Sequence, residues 1–209
     1  MMKYLFIPFV CVLMISTANS QDIKEFFIPR APKNKASFYT PNKVGERTEM
    51  TSTIYYINKG NSYELITSQM FKNNLGAISM ERFEFSSNEA KMTLSESTNA
   101  FETNKKRIYS PALIILKVPS KGQKVTWSYM RVSGELINCT SYWETEMIDG
   151  IDLDAIKVEK QHEGIEDATI IITYVRGIGL WKTEIKDSDG KIQIIEILDK
   201  IGYDPDVKL

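Results

Sequence analysis

Cysteine and histidine are nearly missing from this chain. Two cysteines and one histidine stand among 209 residues. Metal centres built on clusters of those two residue types are therefore excluded. So is a framework of disulfides: Cys11 falls in an N-terminal apolar run, which leaves Cys139 alone in residues 21–209. Strong charge of one sign is missing too. The formal net charge is −1, with 26 basic and 27 acidic residues. A balance so close to zero encodes no pull toward nucleic acid or an anionic membrane. The one basic triplet, Lys105-Lys106-Arg107, reads as a solvated loop or strand end. After residue 20 no apolar run is long enough to cross a bilayer as a helix. Sustained helical periodicity is lacking as well.

The N-terminus reads as an export signal. Lys3 supplies a positive start, Tyr4 to Ile15 an apolar core, and Ser16 to Ser20 the small residues a signal peptidase reads. We expect residues 1–20 to be removed before Gln21 and residues 21–209 to form a single β-rich domain. An uncleaved anchor is disfavoured by the shortness of the apolar run. The expected destination is the periplasm or the extracellular space, with no transmembrane segment in the mature chain.

What is abundant is strand signal. Ile170 to Ile197 carries three segments rich in β-branched and aromatic residues. Gly177 and Gly179 interrupt them where a strand bends, and Asp187 to Gly190 has hairpin-loop composition. Tyr63, Leu65, Thr67, Gln69 and Phe71 alternate onto one face, as do Val125, Trp127 and Tyr129, and Ile137, Cys139 and Trp143. Turn signals recur at roughly eight- to twelve-residue intervals, giving roughly ten strands. Asn99 to Ser110 reads as a loop with a short strand, and Ala112 to Val118 as a strand buried on both faces. Phe26-Phe27-Ile28 is an edge strand or an apolar plug. The fold class is mostly β with little helix. A single antiparallel sheet built as a meander must curl into a half-barrel to bury one face and limit its edges.

Chemistry is sparse by comparison. Gly177-Ile-Gly179 lacks the third glycine and following helix of a dinucleotide fingerprint, since Lys182 stands there. His162 lies among Glu159, Lys160, Gln161 and Glu163, in what reads as a solvated loop. Asp149, Asp152 and Asp154 lack the glycine placement and bidentate glutamate of a calcium loop. Cys139 reads as a small buried apolar residue. No catalytic, cofactor-binding or metal-binding residue is assigned, and no cofactor is expected.

Tyr174-Val-Arg-Gly177-Ile-Gly179-Leu180-Trp-Lys182 resembles the Tyr-x-x-Gly-x-Gly-Leu-x-Lys phrase of exported β-rich domains of unknown function in Gram-negative bacteria. Pro119 followed by Trp127 and Tyr129, then Asp149-Gly150 followed by Ile156 to Val158, resemble the order found earlier in those domains. The resemblance covers the C-terminal half, and Trp181 departs from it where a small apolar residue is common. Gln21 directly after the expected cleavage site is similar to exported proteins of Bacteroidetes-type bacteria. The resemblance implies a curved half-barrel like that of periplasmic lipoprotein carriers, and it implies no catalytic residue.

Together these readings lead us to expect a non-catalytic cell-envelope protein. Its expected partner is a lipid or other apolar small molecule, or an envelope protein; nucleic acid is not expected. Tyr55, Tyr56, Tyr63, Phe83, Phe85, Trp127, Tyr129, Trp143 and Trp181 are candidates to line a concave face, and ordinary core is the plainer reading for most of them. The alternative is a hydrolase on a β-scaffold. A carrier calls for a large apolar cavity without convergent polar groups. An enzyme calls for a pocket holding a shifted carboxylate or His162.

Overall fold

A computed structural model describes residues 23–72, 74–99, 102–131, 134–162 and 168–206. The expected leader and cleavage site, Ser133 of an expected turn, the end of the polar stretch after His162 and the last three residues lie outside them.

The strand signals resolve into twelve strands. In order they are β1 (Lys35–Pro41), β2 (Arg47–Asn58), β3 (Ser62–Phe71), β4 (Asn74–Phe85), β5 (Glu89–Asn99) and β6 (Glu102–Lys117), then β7 (Lys124–Met130), β8 (Leu136–Ile148), β9 (Ile151–His162), β10 (Ala168–Val175), β11 (Gly179–Asp187) and β12 (Ile192–Gly202). They form one antiparallel sheet in the order β6-β5-β4-β3-β2-β1-β12-β11-β10-β9-β8-β7. Neighbours along the chain pair in space, as short connections favour. Only β1 with β12 joins distant parts of the sequence, with Ala36 opposite Ile201 and Tyr39 opposite Ile197. The sheet is thus an up-and-down meander bent into a nearly closed barrel.

The gap in the barrel falls between consecutive strands, β6 and β7, and not between the chain's two ends. Side chains bridge it. Trp127 on β7 donates its indole N–H to the Ile114 carbonyl of β6 at 2.8 Å. Ser141 on β8 donates to the Lys117 carbonyl at 2.6 Å, and Trp143 to the Pro119 carbonyl at 2.6 Å. These bonds satisfy edge carbonyls that a thirteenth strand would otherwise take.

Two strands differ from the sequence reading. Of the segment 99–110, expected to be a loop with a short strand, residue 99 ends β5, residues 100 and 101 lie outside the described residues, and 102–110 are continuous with the apolar run after them in β6. A bulge explains the lost alternation. Met92 pairs with Leu113 and Leu94 with Ile108, so Tyr109 to Ala112 bow out opposite Thr93. Pro111 is tolerated there because β6 is an edge and its missing N–H breaks no ladder. Ala112 to Ile115 are half-buried, so this strand is not enclosed on both faces. At the other side of the gap, β9 runs on through His162, which therefore ends a strand and does not sit in a loop.

The Phe-Phe-Ile segment takes the plug form. Lys24–Phe27 make one helical turn, α1, which is too short to persist alone. Burial holds it: Ile23, Phe26 and Phe27 are among the most enclosed side chains of the core. Phe26 packs edge-on against Trp143 at 5.3 Å, and Phe27 meets Phe83 at 4.8 Å, Phe85 at 5.5 Å and Tyr174 at 5.6 Å. Burying one such ring contributes roughly 1.5–3 kcal/mol.

Candidate functional site

The Gly-x-Gly phrase clamps this plug. Gly177 and Gly179 have φ of +76° and +88°, values that L side chains rarely adopt. Gly177 donates its N–H to the Glu25 carbonyl at 2.5 Å and accepts from the Arg30 N–H at 2.9 Å. A Cβ on Gly179 would lie 3.2 Å from the Phe27 carbonyl oxygen and 3.4 Å from Pro29. Arg176 completes the clamp, with its guanidinium 5.0 Å from the Phe26 ring centre and 3.7 Å from Glu25. The glycines, read from the sequence as a bend in a strand, thus also receive the N-terminal segment.

With α1 as its floor, the barrel encloses a cavity of about 800 Å³. Alternation along each strand builds its wall. Near the floor the lining is apolar: Phe27, Phe83, Met92, Leu113, Ile115 and Leu180. Farther along the same inward faces it turns polar. Glu81 follows Phe83 and Phe85 on β4, and Lys160 follows Ile156 and Val158 on β9. Ser95 and Tyr109 share a hydrogen bond of 3.0 Å at this level. Arg107 of β6 and Arg131 after β7, both exposed, mark where the cavity reaches solvent.

Electrostatics follow from this enclosure. Burial pushes the Glu81 carboxyl above its usual range, and attraction to Lys160 opposes that only in part. Burial likewise lowers the Lys160 ammonium, against the opposing influence of Cys139 and Glu81. Their half-exposed surface faces the cavity, so both groups are screened from bulk water while remaining open to a ligand. Tyr129 is pushed up to about 12, chiefly by burial, and stays a phenol O–H at neutral pH.

The remaining sequence candidates scatter. Tyr56, Phe83 and Tyr129 line the cavity. Tyr63 and Phe85 pack on each other beside α1, and Trp127 and Trp143 seal the gap. Tyr55 lies under the Lys35 ammonium, and Trp181 is half-buried against the core. Cys139 is buried and pushed up to about 11 by desolvation, as befits a core residue. His162 does not line the cavity; its Nδ1 is 2.6 Å from a Glu135 carboxylate oxygen. Asp149, at φ +52°, and Gly150 turn β8 into β9, while Asp154 binds Lys121 and Arg176. Among the described residues no group of three or more histidine, cysteine or carboxylate side chains could hold a metal ion. No helix among them is long and apolar enough to cross a membrane.

The sequence reading takes Arg107 as part of a solvated triplet and Lys160 as a loop neighbour of His162, and it does not single out Glu81 or Arg131. The signal was there: Glu81 shares the face of Phe83 and Phe85, and Lys160 that of Ile156 and Val158.

No protein-family model matches the chain, and no curated protein matches it. Two solved structures align over most of it. One is described as a candidate lipoprotein from Parabacteroides distasonis, with 11% identity over 85% of this chain and 98% of the other, at a TM-score of 0.43. The second is described as a candidate exported protein with a YmcC-like fold from Bacteroides fragilis. It shows 11% identity over 85% of this chain and 99% of the other, at a TM-score of 0.47.

Proposed function

We propose that this protein is an exported, non-catalytic component of the cell envelope whose barrel holds one apolar or amphipathic small molecule. The carrying observation is the cavity of about 800 Å³ with an apolar floor. That volume lies in the range of small-molecule sites, roughly 300–1,000 Å³. Export rests on the order of Lys3, the apolar run and Ser16 to Ser20. Periplasm and cell exterior are both compatible with that signal.

The cavity departs from the expected carrier in one respect, because Glu81 and Lys160 stand in its wall. A carboxyl raised by burial beside a lysine lowered by burial is the kind of pair a hydrolase uses as acid and base. This observation keeps the hydrolase as the second reading. Binding is favoured because, among the described residues, no nucleophile–base–orienter chain is assembled around the pair. Ser95 is engaged by Tyr109, and His162 is held outside by Glu135.

The test is titration of the folded mature chain with the neutral fluorescent probe N-phenyl-1-naphthylamine. Saturable binding to one site is expected, and its absence would remove the binding reading. A panel of chromogenic esters run alongside decides the second reading: turnover that Glu81→Gln abolishes would replace binding with hydrolysis.

A further inference from the structure

The polarity of the cavity changes along its length. Its floor is made by Phe27 and Phe83, while its outer level presents Lys160, Arg107 and Arg131. A purely apolar guest would offer those three groups no hydrogen-bond acceptor as it displaced their water, a costly arrangement. Among the described residues Glu81 is the one carboxylate residue in the lining. Burial raises the Glu81 carboxyl as it lowers the Lys160 ammonium, and the two groups attract each other. Arg131 also binds Glu135 through one guanidinium nitrogen at 3.2 Å. A guanidinium has five N–H donors, so this contact leaves others for a ligand. Tyr129 on β7 adds a phenol to the same lining, two residues before Arg131. Charge-assisted bonds to an oxyanion suit such a set of donors.

We propose that the cavity takes one long-chain amphiphile with an anionic oxygen head, its chain directed at Phe27 and its head held by Arg107, Arg131 and Lys160. This rests on the binding reading above and assigns the ligand class and its orientation. Neither arginine is needed to close the barrel: both are exposed and lie away from the bonds that seal β6 to β7. They can therefore be altered without disturbing the fold.

The experiment measures displacement of N-phenyl-1-naphthylamine from the delipidated mature chain by four competitors. These are palmitate, hexadecanol, hexadecylamine and acetate. Palmitate is expected to bind roughly tenfold or more tighter than hexadecanol, the worth of one charge-assisted hydrogen bond. Hexadecylamine should be the weakest of the long chains, and acetate should not compete. Arg107→Glu should weaken palmitate by a similar factor and hexadecanol by clearly less. Equal affinity for palmitate and hexadecanol would overturn the anionic-head assignment while leaving the binding reading intact. Competition by acetate as strong as that of palmitate would overturn it in favour of a simple anion site. Failure of the probe itself to bind would bring down the binding reading and this inference together.

Discussion

Single residues here are constrained by backbone conformation and by burial, and the two can be separated. Gly179 has φ +88° and faces the Phe27 carbonyl, whereas Gly150 has φ +78° with nothing within 4 Å of an added Cβ. An L residue at such φ costs roughly 1–2 kcal/mol. Gly150→Ala should therefore lose about that much in urea unfolding. Gly179→Ala should lose more, up to about 3 kcal/mol, because the plug must also shift. Equal losses would show that the clamp does not bear on Gly179. Glu81 supplies a pH test. Its folded pKa is raised by burial, so the neutral carboxyl stabilises the fold at acid pH, and that stability is lost as pH rises through the folded value. Lys160 and Tyr174 are the titratable groups coupled to it. Glu81→Gln should thus be more stable than the parent at neutral pH and indistinguishable from it well below the ordinary glutamate pKa. A stability gain that does not change with pH would refute the assignment. Both residues were half legible beforehand. Alternation places Glu81 on the face of Phe83, a signal the sequence reading does not use, and whether that face meets water or a cavity depends on strands far away in sequence.

At the scale of elements, α1 and the β6–β7 gap are the two features on which the cavity depends. Phe27→Ala should lower stability by about 3–5 kcal/mol, the range for removing a buried ring. It should also enlarge the cavity floor, which probe titration would report as a changed affinity. Trp127→Phe removes the donor to the Ile114 carbonyl and leaves a buried acceptor unpaired, at a cost of about 1–3 kcal/mol. Urea midpoints measure both. A Trp127→Phe variant as stable as the parent would mean that the barrel is closed by packing alone. The sequence offered the plug as one of two forms for Phe26-Phe27-Ile28, and it could not choose. A four-residue helix has no periodicity to read; the pocket made by Trp143, Phe83 and Tyr174 selects it.

For the whole molecule, the pairing of β1 with β12 makes the first and last described strands neighbours at the middle of the sheet. Neither half of the meander can close without the other, so unfolding should be a single cooperative step. Trp127 and Trp143 report on the gap, and far-UV circular dichroism reports on all strands. Their denaturation curves should coincide, and separated midpoints would show that the halves fold independently. A chain ending at Gly190 loses β12 and exposes β1 and β11 as new edges. It should aggregate, as unpaired edges do.

The sequence by itself determined the strand-rich class, the meander, the tight turns and the inward face of a few wall residues such as Leu65, Phe83 and Tyr129. Those properties are local: alternation has a period of two, and hairpin loops need particular residues. Only the tertiary structure decided where the barrel stays open, that residues 102–117 form one strand across a bulge, and that Gly177 and Gly179 serve the N-terminal plug. It also decided that Glu81 and Lys160 share an enclosed space. Each of these depends on contacts between segments far apart in the chain, and the enclosure that shifts a carboxyl and a lysine exists only once twelve strands have closed around it.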